Sequence, residues 1–218
     1  MLFRGIVMYK AYIFDFDYTL GDSSDGIVQS VLYALSQLDE EPKPAEEIRK
    51  TIGLSLKETY FTLTGNKNEE KAELFAKYFK EKADEVMVDS TQIYEPVKQV
   101  FAALREKGCK IGIVTTKYHY RIDAILAKFD MTEMVDIIVG GEDVKIPKPD
   151  PEGLLFAIEQ LQLGKTDILY VGDSIVDAKT AEGVGVDFAG VLTGTTTAED
   201  FAKYRNICIA DDLYGIPK

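Results

Sequence analysis

The sequence predicts an α/β fold: a doubly wound parallel sheet, or Rossmann-like core, with an inserted all-helical cap domain. Three observations lead to this prediction. Short apolar runs end at turn-forming residues, helical patterns alternate with them, and one long interval contains helical patterns alone. Such alternation is typical of a parallel sheet covered by helices on both faces. At 218 residues with 46% hydrophobic side chains, the chain is long enough to bury this core.

The strands are predicted from short runs rich in Ile, Val, Phe or Tyr, the usual composition of buried parallel strands. Five runs are strong and a sixth is weaker; in chain order they span residues 11–16, 110–115, 135–139, 168–172, 188–192 and 207–210. The helical patterns between them span residues 97–107, 121–129, 151–162 and 174–183. Strand and helix therefore alternate from about residue 92 to residue 192.

The interval from residue 23 to 88 breaks this alternation, because it contains amphipathic helical patterns and no convincing strand. One apolar face carries Ile27, Val31, Leu35 and Leu38. A later face carries Leu74, Phe75, Tyr78, Phe79 and Ala83. We expect an α/β core formed by residues 1–22 and 89–218, and a helical cap formed by residues 23–88. Turn-forming residues at 21–24 and 89–91 are the expected hinges.

Charge and hydropathy narrow the classes of partner. The formal net charge of −12 predicts that the chain binds neither nucleic acid nor an acidic membrane surface, because its field repels both. No run approaches the roughly 18 consecutive apolar residues of a membrane span. Cys109 and Cys208 lie in apolar runs, which favours buried reduced thiols over a disulfide. We expect a soluble cytoplasmic protein; the oligomeric state has no signal in the sequence.

Polar side chains follow three of the predicted strands. Asp15 and Asp17 end the first run, Thr115 and Thr116 end the second, and Asp173 follows the fourth. The carboxyl ends of parallel strands are where such sheets bind ligands. In an extended backbone, side chains two residues apart point the same way, so both carboxylates of the first run face the same side. For that pair alone, a strand end followed by a turn is the better explanation.

Three convergent carboxylates, from Asp15, Asp17 and Asp173, repel one another unless a cation lies nearby or one is protonated. Oxygen ligands without a cluster of His or Cys favour Mg²⁺ over zinc. Simpler explanations stay open for two acids. Asp173 is also suited to capping a helix, and Asp177 to stabilising the first turn of that helix through its dipole.

The loop Lys145-Ile146-Pro147-Lys148-Pro149-Asp150-Pro151 is stiffened by three prolines. A loop of this kind fixes the position of its lysines. Lys148, held near three carboxylates, is suited to neutralising a phosphoryl group, although most loop lysines are simply solvated.

Taken in order, these four segments resemble the motifs of the haloacid dehalogenase superfamily, in the phosphoglycolate phosphatase-like branch that carries a helical cap. The segments are Asp15-Phe16-Asp17-Tyr18-Thr19-Leu20, Ile113-Val114-Thr115-Thr116-Lys117, Lys148-Pro149-Asp150-Pro151 and Gly172-Asp173-Ser174-Ile175-Val176-Asp177. Each segment alone is weak, whereas the ordered set is specific and spans essentially the whole chain.

The resemblance implies a magnesium-dependent phosphatase that hydrolyses a small phosphate monoester. Asp15 would attack phosphorus and form an aspartyl-phosphate. Asp17 would protonate the leaving alkoxide and then take a proton from water. Mg²⁺ would be held by Asp15, the main-chain carbonyl of Asp17, and Asp173. Phosphoglycolate, a sugar phosphate, a nucleotide and pyrophosphate remain open as substrates.

The resemblance also implies roles for the other motif residues. Thr115, Thr116 and Lys148 would bind the phosphoryl oxygens, with Lys148 as the main cation. Asp177 would hold Lys148 or a metal-bound water in place. The chain departs from the family pattern at Tyr18, where Gly is usual, and at Thr116, where Asn is frequent. These departures leave every catalytic group in place.

Alternative activities are weighed against the same motifs. Dehalogenases of this superfamily lack the second acid, so Asp17 argues against dehalogenation. A sugar-phosphate mutase of β-phosphoglucomutase type would use all four motifs and stays open, because it differs in how its cap excludes water. A catalytically silent binding module is a further alternative, since fold alone does not establish activity.

Substrate choice is expected to come from the cap. Arg49 and Lys57 flank a glycine turn, and we predict that one or the other contacts an anionic part of the substrate, although a solvated helix charge is the better explanation for each residue alone. His119 is the chain's only histidine. It follows Thr115 closely and is expected either at the rim of the site or as a helix-start residue.

Overall fold

The computed structural model describes residues 9–218. Within them the strands are β1 (Ala11–Phe14), β2 (Gly21–Asp22), β3 (Gln92–Ile93), β4 (Lys110–Val114), β5 (Ile137–Val139), β6 (Ile168–Gly172), β7 (Asp187–Val191) and β8 (Cys208–Ala210). The α-helices are α1 (Ser24–Gln37), α2 (Ala45–Arg49), α3 (Leu56–Thr64), α4 (Glu69–Ser90), α5 (Pro96–Glu106), α6 (His119–Lys128), α7 (Glu152–Gln160), α8 (Ile175–Val184) and α9 (Ala198–Phe201). The assignment of residues 1–8 to the core falls outside the described residues.

Six strands form one parallel sheet in the order β5-β4-β1-β6-β7-β8. The chain enters at a central strand, builds outward through β4 and β5, and then returns to build the other half. The point where the direction reverses flanks β1, and crevices outside the carboxyl ends of strands at such a point are where ligands bind. The predicted doubly wound sheet is confirmed.

Two strands, β1 and β5, are two residues shorter than predicted, and local hydrogen bonds explain why. β1 stops at Phe14 because the chain turns: the carbonyl of Phe16 accepts hydrogen bonds from the N–H groups of Thr19, Leu20 and Gly21. β5 begins at Ile137 because the preceding carboxylate, Asp136, is bound to the neighbouring strand. Short polar anchors of this kind are invisible to a pattern of apolar residues.

Helices cover both faces of the sheet, as the alternating pattern predicts. On one face, α5 and α6 pack over the side chains of Tyr12, Phe14 and Ile113. On the other face, α7 and α8 pack over Ile13 and Tyr170. Neighbouring positions along β1 thus enter opposite hydrophobic layers, as pleating requires.

The helical interval forms a separate hydrophobic cluster built from α1, α2, α3 and α4. α1 and α4 pack against each other through Val31, Leu35, Phe75 and Phe79, all of which are buried. One predicted core position is wrong: Leu74 is 43% exposed. Its neighbour Phe75 takes the buried position, and one helical step of about 100° carries Leu74 toward solvent.

A two-stranded antiparallel ribbon, β2 with β3, joins the helical interval to the sheet. β2 falls within the first segment predicted as a hinge, residues 21–24, whereas β3 directly follows the second, residues 89–91, whose first two residues end α4. The side chain of Asp22 accepts the N–H of Ser24 and so starts α1 beside the ribbon. Among the helices of residues 9–218, none combines the length and apolarity needed to cross a membrane.

Candidate active site

The carboxylate of Asp15, just beyond β1, lies in a buried polar cluster. Lys148 donates to Asp15 Oδ1 at 2.7 Å and to Asp177 Oδ1 at 2.6 Å. The hydroxyl of Tyr170 lies 3.1 Å from Lys148 Nζ and donates to Asp177 Oδ1 at 3.0 Å. Both ion pairs are almost completely shielded from water, with side-chain exposures of 5% or less. The proline-rich loop thus directs its second lysine into the site.

Asp177 is held in place by the start of α8. Ser174 caps this helix, and its N–H and hydroxyl both donate to Asp177 Oδ2, at 3.1 and 2.5 Å. Gly172 lets the helix approach, because a Cβ at that position would lie 2.4 Å from the Asp177 side chain. Both oxygens of Asp177 are therefore engaged, and the residue positions Lys148. The helix-capping role proposed for Asp173 belongs instead to Ser174.

Asp173 lies at the end of β6, next to this cluster. Carboxylate oxygens of Asp15, Asp173 and Asp177 lie within 4.8 Å of one another. Thr19 donates to Asp173 Oδ1 at 3.3 Å. The loop after β7 also closes on this acid, since a Cβ at Gly194 would lie 1.9 Å from Asp173 Oδ2. This packing holds the Asp173 carboxylate toward Asp15.

Burial sets the electrostatics of the cluster. It raises the pKa of Asp15 to about 7, against the lowering effect of Lys148 and with a further rise from Asp177. Burial also raises the pKa of Asp173 well above its usual range. Although burial disfavours a charged lysine, the facing carboxylates of Asp15 and Asp177 raise the pKa of Lys148 well above its usual value. The carboxyl groups of Asp15, Asp173 and Asp177 thus have only Lys148 among them as a positive charge. A divalent cation bound through oxygen would offset the repulsion that remains between these carboxylates.

Asp17 points to a different set of partners. Its Oδ2 lies 3.0 Å from Lys117 Nζ, and its Oδ1 accepts a hydrogen bond from the Ser23 hydroxyl. Asp17 and Lys117 are both buried. The carboxylates of Asp15 and Asp17 are therefore both buried, and each contacts a different lysine, Lys148 and Lys117 respectively.

Thr115 and Thr116 follow β4 beside this pair. The Thr115 hydroxyl accepts the N–H of Lys117 at 3.2 Å, and Thr115 lines a small cavity together with Lys148. Thr116 is half-buried and lines a larger cavity together with Asp17. Thr115, Thr116 and Lys148, the predicted phosphate-binding residues, therefore lie close to the carboxyl ends of β4 and β1.

Comparison with known proteins identifies the family to which this chain belongs. The family model described as haloacid dehalogenase-like hydrolase matches residues 12–191, from β1 through β7. The chain belongs to the haloacid dehalogenase-like hydrolase family. The predicted family and the prediction of an enzyme are thereby confirmed.

Relatives of this hydrolase carry phosphatase names. Pyrophosphatase PpaX of Bacillus velezensis is 29% identical over 195 residues, which cover 89% of this chain and 88% of that protein. A phosphoglycolate phosphatase of Photorhabdus laumondii is 28% identical, covering 92% of this chain and 87% of that protein. A crystal structure of a haloacid dehalogenase-like hydrolase from Bacteroides fragilis is 41% identical, with a TM-score of 0.92 over 94% of this chain and 98% of that one.

Tyr18, the departure from the expected first motif, has a backbone conformation that favours Gly. Its φ is 60°, in the left-handed region that favours Gly. Its N–H donates to the carbonyl of Gly21 at 2.7 Å, and its own carbonyl accepts from the Thr193 hydroxyl. The phenol is 9% exposed and lies near Ser24 and Arg49 at the base of the cap.

The two cap cations named from the sequence, Arg49 and Lys57, do not line the larger cavity of the hydrolase. Arg49 pairs with Asp25 on α1 at 3.0 Å, and Lys57 pairs with Glu69 on α4. The side chains of Arg49 and Lys57 are both partly exposed, and neither is among the described residues that line the cavity.

His119 begins α6 and is fixed by acids of the loop after β5. The ring Nδ1 of His119 lies 2.7 Å from Asp143 Oδ2, and its main-chain N–H donates to Glu142 Oε2 at 2.9 Å. This is the helix-start placement, and it keeps the ring among surface carboxylates.

Sequence reasoning missed a connection between the core and the cap. Arg121 on α6 donates through Nε and Nη2 to Asp84 Oδ1 on α4, at 2.9 and 2.7 Å. Tyr120 donates to the same oxygen at 2.5 Å. Arg121 is 4% exposed and also lines the larger cavity. Lys117 was missed as well, although its position directly after Thr115 and Thr116 was an available signal.

Proposed function

We propose that the chain is a magnesium-dependent phosphatase that hydrolyses a small phosphate monoester through an aspartyl-phosphate. The observation that carries this proposal is the buried cluster at the carboxyl ends of β1 and β6. There, Asp15 faces Lys148 at 2.7 Å and lies beside Asp173. A carboxylate, a shielded lysine and a second acid are the groups that phosphoryl transfer to an aspartate requires.

Asp15 is the proposed nucleophile. Lys148 orients its carboxylate and offers positive charge to the phosphoryl oxygens. Asp177 and Tyr170 hold that lysine through its other two hydrogen bonds. Because these groups are fixed before substrate arrives, little reorganisation is needed when charge develops on the transferring group.

Asp17 is the proposed general acid and base. It would give a proton to the leaving alkoxide and take one from the water that cleaves the aspartyl-phosphate. Its contact with Lys117 and Ser23 keeps the carboxylate buried at the floor of the larger cavity. That cavity is the proposed place for the leaving group.

The cation site is assigned to Asp15, Asp173 and the main-chain carbonyl of Asp17. The fit of the donors supports a hard divalent ion, because buried carboxylates outnumber the single lysine among them. When bound, Mg²⁺ supplies positive charge that offsets repulsion between the nucleophile and the phosphoryl oxygens. Thr19 and the close approach of Gly194 hold Asp173 for this role.

Thr115, Thr116 and Lys148 are the proposed phosphate-binding residues. The hydroxyl of Thr115 is anchored at the end of β4 by the N–H of Lys117. Residues 1–22 and 89–218 would form the catalytic core, and residues 23–88 the cap that excludes water. The proposed partner is a small phosphorylated metabolite, and the proposed location is the cytoplasm.

The experiment that tests this proposal measures phosphate release from acetyl phosphate, which has a small leaving group, with and without Mg²⁺. We expect turnover that requires the metal, and a trapped phosphoenzyme that hydroxylamine cleaves, as an acyl phosphate does. Turnover through a phosphoenzyme resistant to hydroxylamine would rule out the aspartyl-phosphate. Failure of the metal to change turnover would rule out the magnesium site.

A further inference from the structure

The larger cavity lies between the core and the cap, and its space, together with the part open to solvent, is about 560 Å³. Asp17, Thr116 and Lys117 line it from the carboxyl ends of the strands, so it opens directly onto the proposed acid and base. The cap loop before α3 reaches over the same strand ends: a Cβ at Gly53 would lie 3.8 Å from Ser174 Oγ. A leaving group bound in this cavity would therefore touch the cap.

The cap side of this cavity is apolar. Its lining residues come from α1, the loop before α3, α3 itself and α4. Most are apolar, chiefly Ile27, Leu54, Phe79 and Met87, and the polar side chains among them are Thr51 and Thr59, which carry no charge. The α1 and α4 residues among them also belong to the hydrophobic cluster of the cap, so these side chains are fixed by packing. A leaving group would meet mainly hydrocarbon on this side.

The cations of the cavity are matched by acids. Lys117 lies 3.0 Å from Asp17, and Arg121 lies 2.7 Å from Asp84. Among the described residues that line the cavity, the cap contributes no lysine or arginine. A leaving group that carried a second phosphate would lose water from this phosphate on entering the cavity. Because no unpaired lysine or arginine of the cap lines the cavity to replace that water, binding of such a group is strongly unfavourable.

We propose that the substrates of this enzyme are phosphate monoesters whose leaving group is mainly an apolar carbon skeleton, aliphatic or aromatic. This inference rests on the proposed phosphatase function and narrows its substrate class. It separates the chain from a pyrophosphatase, whose leaving group is itself a highly charged phosphate. Burial of each added methylene against the cap wall contributes about a fourfold gain in binding.

The test compares kcat/KM for methyl, ethyl, propyl and butyl phosphate with kcat/KM for pyrophosphate, at saturating Mg²⁺. The four alkyl leaving groups have similar basicity, so differences among them report contacts with the cavity. We expect a rise of about threefold or more for each methylene. We also expect butyl phosphate to exceed pyrophosphate, although pyrophosphate has the better leaving group.

Leu54→Gln tests whether the cap wall causes this trend. Leu54 is half-buried in a loop, so its replacement leaves the helices of the cap intact. We expect the slope of the alkyl series to flatten while turnover of acetyl phosphate persists. Leu74→Gln, on the exposed outer surface of the cap, is the matched control and should keep the wild-type slope.

Three outcomes would overturn the inference. A flat alkyl series in the wild type, or pyrophosphate as the better substrate, would contradict an apolar leaving-group site while leaving the phosphatase intact. An unchanged slope in Leu54→Gln would remove the cap wall as its cause. If acetyl phosphate is not turned over at all, the proposed function fails, and the inference fails with it.

Discussion

The two walls of the larger cavity are built on opposite principles. On the core side, buried charges face one another: Asp17 faces Lys117, and behind them Asp15 faces Lys148. On the cap side, the wall is hydrocarbon, and the cations near it, such as Lys57, are paired toward solvent. The difference separates two tasks. The core wall is suited to chemistry that any phosphate ester shares, whereas the cap wall is suited to choosing among leaving groups.

The two walls should also respond differently to mutation. Removing one member of a buried ion pair leaves its partner charged and unpaired, which costs about 3–5 kcal/mol. Changing one apolar side chain at the rim of a cavity costs much less and alters fit gradually. Core-wall variants should therefore lose activity abruptly, and cap-wall variants should lose it in proportion to the contact removed.

The largest effect is expected for Asp15→Asn. The amide keeps the shape of the side chain but cannot attack phosphorus, so kcat should fall by roughly 10⁴-fold or more. Folding should persist, because Lys148 keeps its 2.6 Å contact with Asp177. Steady-state phosphate release and circular dichroism measure the two outcomes. Asp211→Asn, an exposed acid outside the site, is the control. Retained activity in Asp15→Asn would refute the nucleophile assignment.

The next largest effect concerns the cation. Binding of Mg²⁺ to the buried carboxylates should stabilise the fold by about 2.7 kcal/mol at one hundred times the dissociation constant. For a chain of this length, that corresponds to a rise in Tm of about 5–10 °C. Thermal unfolding with and without chelator measures it. Asp173→Asn should lose most of this rise, because it removes a proposed ligand. An equal rise in that variant, or with sodium chloride at matched ionic strength, would contradict a specific site.

The sequence was sufficient for the sheet and for the residues at its carboxyl ends, because both depend on local patterns and on one rule of parallel topology. Apolar runs located β1, β4 and β6, and the acids and threonines after them are brought to one edge of the sheet. The contacts of Lys117 with Asp17 and of Arg121 with Asp84 lacked any periodic signal, since each joins segments far apart in the chain. Only the folded arrangement of cap and core decides such partners.

The cations of the cap are a second case in which the sequence alone does not determine the contacts of a side chain. The sequence identified Arg49 and Lys57 as cations beside a glycine turn, but not the direction of their side chains. Each is paired with an acidic residue of the cap, Asp25 and Glu69 respectively, and neither lines the larger cavity. Long charged side chains take their position from such local partners, so helix position alone does not specify which cavity they face.

The joint between the two walls should give an intermediate effect. Asp84→Asn weakens the contact that holds α4 of the cap to Arg121 of the core, and we expect kcat/KM to fall about five- to tenfold. A double-mutant cycle with Arg121→Gln measures the coupling. Glu81→Gln, on the same helix but bonded to Tyr33 within the cap, is the matched control. Additive losses in the cycle would show that this pair does not join cap and core.

The smallest effect is expected at Tyr18, where the two walls meet. Tyr18→Gly relieves the left-handed backbone, which costs a residue with a Cβ about 1–2 kcal/mol. The same change removes a ring that is only 9% exposed, and loss of such a buried aromatic costs about 3 kcal/mol at the lower end of its range. The opposing effects leave a net destabilisation of about 1–2 kcal/mol, or about 2–8 °C in Tm.

Activity should distinguish the backbone of Tyr18 from its side chain. The turn that orients Asp17 depends on the main chain, which Gly preserves, so turnover of acetyl phosphate should change less than about threefold. Tyr18→Asn, which tolerates the same φ and also lacks the ring, should behave alike if only the ring matters. Urea unfolding and phosphate release measure the two variants. A loss of stability in Tyr18→Gly as large as that of a fully buried aromatic would mean that the left-handed backbone carries no strain at this turn.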